Sequence, residues 1–549
     1  MRLVVDMTKC QSYAQCCFLA PESFTFQGQE ALVYDPAPTD AHRGKILQAA
    51  AACPVQAILL DRSDDPTLAR RELPAPPPGP TPLGPESRVV VVGASLAGLR
   101  GAEALRREGF RGELTIIGDE PEEPYDRPPL SKQVLSGRVA PESTTLPRLE
   151  DLDAGWRLGV AATGLDLDAK QVLLADGEHI AFDRLLIATG TRARPWVDPD
   201  GAGLDGVFTL RTVDDSRRLR AALEARPARV LVVGGGFTGS EVASVCRDLD
   251  LPVTVAVRGP APLAGALGAV VGRIAGDVQR DHGVDLRCDV SVTTLEGQDG
   301  RVRGARLSDG TFVEADVVVV ATGAVRNVEW LEGSGLSSGE WGVTCDAGCR
   351  VFDLNGVVTD DVFVAGDVAR FPHPVFGAEF MAMEHWGNAV EQARVAAHNM
   401  VTGQVRRWAH LSVPVFWSIQ FGHVIKSVGV PSVADEVMIT QGSVEDRSFV
   451  AVYGRQGRTV AAVSFDQSKL LEHHRRAIAE GAAFPPDAST VNEAPDQDLE
   501  PAGLPSTRTP WAVAEETDLV VTGDEPSEWR TTWRPRRADD QQPQLARQE

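Results

Sequence analysis

Short, unbroken aliphatic runs recur along the chain and end in glycine. Val89–Val92 precedes Gly93, Leu114–Ile117 precedes Gly118, Val230–Val233 precedes Gly234, Val317–Val320 leads to Gly323, and Val362–Val364 leads to Gly366. Leu185–Ile187, followed by Ala188-Thr189-Gly190, is another. Runs without polar alternation read as strands buried on both faces, as in a parallel sheet covered by helices. After Gly93 the period changes to helical. Leu99, Ala102 and Leu105 fall on one side, with Arg100, Glu103 and Arg106 expected on the other. A strand, a glycine turn and a helix in this order predict an α/β unit.

The ends of the chain have different patterns. Leu3-Val4-Val5 is a short strand-like run ahead of a cysteine-rich stretch. LPAPPPGPTPLGPE is so dense in proline that it predicts an extended, semi-rigid linker, at about 3.1 Å per residue. The final segment is rich in Pro, Asp and Glu, a composition that suggests disorder, although Trp511, Trp529 and Trp533 are unusual in a solvated tail. WAVAEETDLVV within it has the apolar content to pack on the body.

Composition narrows the class. The chain has 549 residues, enough for three or four domains, and its formal net charge is -23. That balance argues against general nucleic-acid binding, which needs clustered Lys and Arg. No apolar run approaches the roughly 18–20 residues that span a bilayer, and Met1-Arg2-Leu3 begins no signal-peptide pattern, so a cytoplasmic protein without a membrane partner is expected. Cys10, Cys16, Cys17 and Cys53 cluster near the start while the other four cysteines are scattered, unlike a secreted disulfide scaffold.

Two stretches carry the same candidate chemistry. Gly93, Ser95 and Gly98 stand at G-x-G-x-x-G spacing, with serine in the second place and Ala97 beside the third. Gly234, Gly236 and Gly239 repeat the pattern in full, with Phe237 and Thr238 between. Small residues let the backbone approach a diphosphate, and the following helix N-terminus favours the anion. This is an internal duplication: two dinucleotide-binding folds, the second inserted in the first. Asp119 lies about 20 residues past Gly98, where an acid binds ribose hydroxyls. The corresponding acid is missing from the second copy, whose strand Val253–Val257 runs into Arg258. A neutral residue there does not repel a 2′-phosphate and a nearby arginine can attract one, so the nucleotide is left as NAD(P)H.

The stretches VDMTKCQSYAQCCFLAPESF and ACPVQAI resemble the single-cluster ferredoxins that serve bacterial cytochromes P450. Ferredoxin ligands follow C-x2-C-x2-C with a remote C-P; here Tyr13 takes the middle place. The resemblance implies Cys10, Cys16 and Cys53 as ligands of a [3Fe–4S] cluster. Spacing from Cys10 favours Cys16 over Cys17. A [4Fe–4S] cluster with a non-cysteine fourth ligand, or a zinc or structural thiol site, is the other chemistry open to this set.

YDRPPLSK after GDE resembles the oxygenase-coupled NADH–ferredoxin reductases, the family of putidaredoxin reductase and biphenyl dioxygenase reductase, over roughly residues 87 to 485. Apoptosis-inducing factor is a more distant relative. The resemblance implies FAD in the first glycine turn, with Arg127 and Lys132 contacting it and Lys132 near the reactive edge of the ring. Thr189 and Gly190 belong to the A-T-G motif beside FAD, and Asp367 accepts from the ribityl hydroxyls. Glu241 lies near the nicotinamide, and a Lys132–Glu241 pair is expected. Gly323 returns the chain from the nucleotide domain. Glu384-His385-Trp386 and Asn388 start a helix along the flavin ring, with Trp386 as ring neighbour and His385 structural. Lys132, Glu241 and Trp386 are thus the candidate catalytic residues. Trp417 lies in VFWSIQ, where the family has F-W-S-D-Q, so Ile419 replaces an acid.

No redox-active C-x-x-C or C-x4-C follows the first glycine turn, which excludes a dithiol reductase, and Cys345 and Cys349 read as structural. The expected architecture is multidomain, α+β and α/β: a small ferredoxin-type Fe–S domain followed by a glutathione-reductase-like flavoprotein with an α+β C-terminal domain. The divisions are ferredoxin 1–63, linker 64–86, FAD domain 87–205 and 327–410, NAD(P)H domain 206–326, C-terminal domain 411–485 and tail 486–549. The expected function is a NAD(P)H-dependent ferredoxin reductase fused to its own ferredoxin, passing electrons to a cytochrome P450 or another oxygenase. A flavin and Fe–S redox sensor or interaction protein, or a reductase of a small acceptor such as nitrite or a quinone, are the rival readings.

Overall fold

The structure is a computed structural model. It describes residues 3–5, 15–27, 31–35, 38–53, 58–60, 83–376, 380–486, 500–501, 517–522 and 530–535. Cys10, Tyr13 and nearly all of the proline-rich linker lie outside the described residues.

In the N-terminal unit Leu3–Val5 pairs antiparallel with Ile58–Leu60, and Phe24–Gln27 forms a hairpin with Ala31–Tyr34. Helices Gln15–Leu19 and Arg43–Ala52 complete it. Leu3, Leu19, Phe24, Ile46 and Ala49 make a small core, and Cys16, Cys17 and Cys53 all pack against it. Helix Gln15–Leu19 rests on the turn Pro374–Phe376 of the main body.

The glycine-ended runs form two parallel sheets. In the first, the strands stand in the order Arg350–Phe352, Val358–Val364, Arg184–Ile187, Arg88–Val92, Glu113–Gly118, Gly155–Leu158. Only the edge strand Arg350–Phe352 is antiparallel to its neighbour. The second sheet is parallel throughout, ordered Val207–Phe208, Val317–Val320, Val230–Val233, Val253–Ala256, Asp285–Arg287. Each fully buried valine contributes about 1.5–3 kcal/mol relative to exposure, which is why uninterrupted aliphatic runs end up in sheet centres. Where the chain crosses between sheets, Thr191–Ala193 and Ala324–Arg326 pair antiparallel. The second unit is therefore inserted in the first through one two-stranded joint.

One helix face differs from its sequence pattern. Glu103 and Arg106, expected on the polar side of Leu96–Arg107, are both buried. The segment around residues 147–153 covers that side. Arg106 donates to the carbonyls of Leu152, Phe110, Gly112 and Asp153. Glu103 accepts from Arg100 and from the Leu149 amide. Local periodicity cannot register a distant loop that brings its own unpaired carbonyls and amide.

The C-terminal sheet is antiparallel, ordered Val415–Gln420, His423–Gly429, Arg458–Phe465, Ser448–Arg455, Glu436–Ser443, Glu500–Pro501, with helix Leu471–Ala479 against it. Glu500–Pro501 pairs with Glu436 and Val437, so this sheet reaches beyond the expected limit at 485. The disorder expected of the tail is also corrected in part: Thr517–Thr522 and Arg530–Pro535 pair antiparallel. Both segments are rich in Thr and Val, and the pairing satisfies backbone groups that the overall acidic composition left out of account. Among the described residues no helix is long and apolar enough to cross a membrane.

Candidate functional site

The two glycine turns have one geometry. Gly93 has φ 118°, and a Cβ there would lie 2.1 Å from the carbonyl oxygen of Ala188. A Cβ on Gly98 would lie 1.8 Å from that of Gly93. In the second copy Gly234 has φ 111° with a Cβ distance of 2.4 Å to the Ala321 oxygen, and Gly239 one of 2.0 Å to the Gly234 oxygen. Only glycine fits these places. The middle position is different: a Cβ on Gly236 meets nothing within 4 Å, which is why Ser95 can replace glycine in the first copy. Helices Leu96–Arg107 and Phe237–Asp248 begin directly after, and neither Ser95 nor Gly236 caps its helix with a side chain. Amides at both N-termini are thus left for an anion, and the cradles fit a dinucleotide diphosphate.

Around the first turn, Gly366 of the late strand faces Ala97, with its own hypothetical Cβ 3.0 Å from the alanine methyl. Asp367 follows and accepts from Arg211 at 2.7 Å. The Arg127 guanidinium donates to Glu120 at 2.5 Å, to the Tyr125 hydroxyl at 3.0 Å and to the Arg211 carbonyl at 3.0 Å. Its Nε is 3.4 Å from Ser95 Oγ, so it spans the glycine turn. Tyr125 also donates to Glu120. Asp119 is exposed, and among the described residues its carboxylate has no partner. Thr189 Oγ1 donates to the Asn327 carbonyl at 2.8 Å, while the Asn327 side-chain amide donates back to the Thr189 carbonyl at 2.9 Å. Gly190 (φ 62°) and Gly323 (φ 105°) turn the chain at either side of this joint.

Between the two units lies an ion pair. Lys132 Nζ is 2.8 Å from Glu241 Oε2. Ser131 donates to the same oxygen at 2.5 Å, and Ser418 donates to Oε1 at 2.5 Å. Lys132 also donates to the Pro128 carbonyl at 3.0 Å. Glu241 is 5% exposed, so its charge is held by three donors from two parts of the fold: Ser131 and Lys132 at the end of the Pro128–Ser131 turn, and Ser418 of the C-terminal sheet. Phe237, at the start of the same helix, meets Phe416 with ring centroids 4.0 Å apart.

Trp386 opens helix Trp386–Val401, donates from Nε1 to Asp126 at 2.9 Å, and meets Trp417 edge-on at 6.2 Å. Trp386 is partly exposed and Trp417 half-buried beside it. Burial pushes the His385 imidazole down to about 4, and its Nδ1 has no hydrogen-bond partner among the described residues. A neutral ring at working pH fits a structural part. Ile419 is exposed on the neighbouring strand. Cys345 and Cys349 are fully buried, and burial drives both thiols well above their ordinary range, so neither is a reactive thiolate.

In the N-terminal unit Cys16 and Cys17 are adjacent on helix Gln15–Leu19. A hydrogen bond with the Cys17 side chain, and then burial, push the Cys16 thiol up. Cys53 closes helix Arg43–Ala52, its amide donating to the Ala50 carbonyl at 3.3 Å. Gln15 and the Ser23 hydroxyl are buried with no side-chain partner among the described residues. Buried amide and hydroxyl groups of this kind suit the sulfurs of an Fe–S cluster, and the cysteine donor set fits it. Among the described residues no three metal-ligating side chains converge; Cys10 lies outside them.

Glu120, Ser131, Arg211 and Ser418 were not singled out by the sequence. Ser131 stands inside the PPLSK motif and was within reach. Arg211 and Ser418 meet their carboxylates across more than one hundred residues and leave no local signal.

Residues 87–393 match the pyridine nucleotide-disulphide oxidoreductase family, 415–500 the reductase C-terminal family, and 5–60 the 4Fe-4S single cluster domain of ferredoxin I. The chain is 35% identical to rhodocoxin reductase of Rhodococcus erythropolis over 364 residues, 66% of this chain and 82% of that one. It is 33% identical to the biphenyl dioxygenase system ferredoxin–NAD(+) reductase component of Paraburkholderia xenovorans, over 69% of this chain and 90% of that one. Among solved structures, the covalent putidaredoxin reductase–putidaredoxin complex aligns with a TM-score of 0.67 at 28% identity, over 72% of this chain and 94% of that one.

Proposed function

This chain belongs to the pyridine nucleotide-disulphide oxidoreductase family, carries a ferredoxin domain ahead of it, and is, we propose, an electron relay from NAD(P)H through FAD and an Fe–S cluster to an oxygenase. It is an FAD-dependent NAD(P)H:ferredoxin oxidoreductase joined to its own ferredoxin. The single observation that carries the reading is the pair of glycine cradles bridged by Lys132 and Glu241, in a chain that also holds a cysteine-rich ferredoxin unit.

Flavin accepts two electrons as a hydride and releases them singly, which couples a nicotinamide to a one-electron centre. The residues supply position and charge. Gly93, Ser95, Ala97 and Gly98 would hold the FAD diphosphate, with Arg127 across the turn, and Asp119 would serve the adenosine ribose, Thr189 and Gly190 the adjoining part of the cofactor and Asp367 the ribityl chain. Gly234, Gly236, Phe237, Thr238 and Gly239, with Arg258 and Gly323, form the NAD(P)H side. Lys132, kept oriented by Glu241, would supply a cation that stabilises negative charge on the flavin. Glu241 would stand on the nicotinamide side, and Trp386 would be the flavin's ring neighbour. Cys10, Cys16 and Cys53 would hold the Fe–S cluster, which we take as [3Fe–4S]. Each NAD(P)H reduces two one-electron acceptors and releases one proton.

The domain division follows: ferredoxin 1–63, linker 64–86, FAD domain 87–205 and 327–410, nucleotide domain 206–326, and a C-terminal domain from 411 that includes the strand at 500–501. The contact of helix Gln15–Leu19 with Pro374–Phe376 supports transfer within one chain, because that turn follows Asp367 closely. A cytochrome P450 is the proposed acceptor, on the resemblance of the ferredoxin unit.

Steady-state turnover tests the relay. Cytochrome c reduction by NAD(P)H is expected to be lost in Cys10→Ser/Cys16→Ser while ferricyanide reduction persists. Equal cytochrome c reduction in the double variant removes the cluster from the path.

A further inference from the structure

The duplication supplies an internal ruler for the nucleotide that the second unit takes. In the first unit the Gly93 amide donates to the Ile117 carbonyl at 2.8 Å; in the second, the Gly234 amide donates to the Ala256 carbonyl at 2.9 Å. The strand registers agree, with Val92 opposite Ile117 and Val233 opposite Ala256. Counting on from these anchors, Gly118 corresponds to Val257 and Asp119 to Arg258. The neighbouring contacts agree as well: a Cβ on Gly118 would meet Ala94, and one on Gly235, the counterpart of Ala94, would meet Val257 at 2.6 Å. The two copies of one turn therefore carry opposite charges at one position, an acid in the first and an arginine in the second, where such folds meet the adenosine ribose.

Neighbouring residues fix this arrangement. Val257 is 6% exposed, its amide donates to the Arg287 carbonyl at 2.8 Å, and its carbonyl accepts from Val290 at 3.1 Å. It lies against Gly235 and offers no acceptor to a 2′-hydroxyl. Arg258 is exposed, and among the described residues no carboxylate pairs with it. The nearby Arg287 is held by Asp285 at 2.9 Å, whereas Arg258 has no salt-bridge partner among the described residues. Asp289 is exposed on the adjoining loop, where its amide donates to the Gly259 carbonyl at 2.9 Å.

We propose that the second unit selects NADPH over NADH, with Arg258 forming the subsite for the 2′-phosphate. A guanidinium there makes charge-assisted hydrogen bonds to a phosphate that NADH lacks. The proposal rests on reading the second unit as the nicotinamide nucleotide site.

Ferricyanide reduction by the flavin-loaded full chain tests it without involving the cluster. We expect kcat/KM for NADPH to exceed that for NADH by about tenfold or more, and Arg258→Ala to lower that ratio by about tenfold, through KM for NADPH. Arg258→Lys restores part of it. As a binding readout independent of turnover, 2′,5′-ADP competes more tightly than 5′-AMP in the wild-type chain, and the two converge in Arg258→Ala. A preference for NADH, or equal competition by the two adenosine phosphates in the wild type, overturns the NADPH assignment while leaving the relay intact. Failure of both nucleotides to reduce ferricyanide overturns the nucleotide-site reading and this one with it.

Discussion

Lys132 and Glu241 come from different nucleotide units and meet at 2.8 Å with the carboxylate buried. The pair is thus formed only when the inserted unit is docked on its host, and Ser131 and Ser418 fix the carboxylate on both oxygens.

Lys132→Ala is expected to slow reduction of the bound flavin by about 10²-fold, the usual cost of removing one group that stabilises developing charge. Stopped-flow bleaching of the flavin on mixing with NAD(P)H measures it. The Ser131→Ala/Ser418→Ala double variant keeps the lysine but frees Glu241, and a smaller loss, within about tenfold, is expected. Equal rates in Lys132→Ala and the wild type end the assignment.

Gly98→Ala places a methyl 1.8 Å from a carbonyl oxygen, whereas Gly236→Ala places one in open space at φ -75°. The first variant is expected to purify without flavin. The second keeps flavin and folds normally. The ratio of visible flavin absorbance to protein separates the two.

The choice of Cys16 over Cys17 as cluster ligand can be checked by counting iron. With Cys10, Cys16 and Cys53 as ligands, about three irons per flavin are expected, with an oxidised-state electron paramagnetic resonance signal. Cys17→Ser retains both, and Cys16→Ser loses both. About four irons and a silent oxidised state point to [4Fe–4S].

Stability should fall in mild acid. Burial pushes His373 down to about 4 and His410 to about 3, the latter also through His373 and Arg394, and both rings are almost fully buried. An unfolded chain binds protons at these positions below its ordinary histidine pKa near 6.5, while the folded chain stays neutral down to about 4. The unfolded state therefore takes up more protons in that window, and stability drops as pH falls through it. Melting temperature is expected to decline from pH 6.5 toward 4, and His373→Phe should flatten the slope.

The sheets and both cradles were legible because each depends on a run of neighbouring residues: Val89–Gly98 and Val230–Gly239 contain their strand, turn and helix start. The Lys132–Glu241 pair was expected only through the family resemblance, since its members are more than one hundred residues apart. The burial of Glu103 and Arg106 leaves no local signal, because it depends on a loop some 45 residues later. Arg211 and Ser418 reach their carboxylates only through tertiary folding. The tail read as disordered from its composition, yet Leu519 stands opposite Trp533 in a hairpin, an effect of pattern that averages conceal.

The two-stranded joint has a consequence for ancestry and engineering. Ala193 leaves the host directly opposite Ala324, which returns to it. Adjacent strands lie only about 4.8 Å apart, so a tight turn can close that gap. Everything between is topologically a cassette: it can be exchanged for another nucleotide-binding module, with a different donor preference, without re-threading the host sheet.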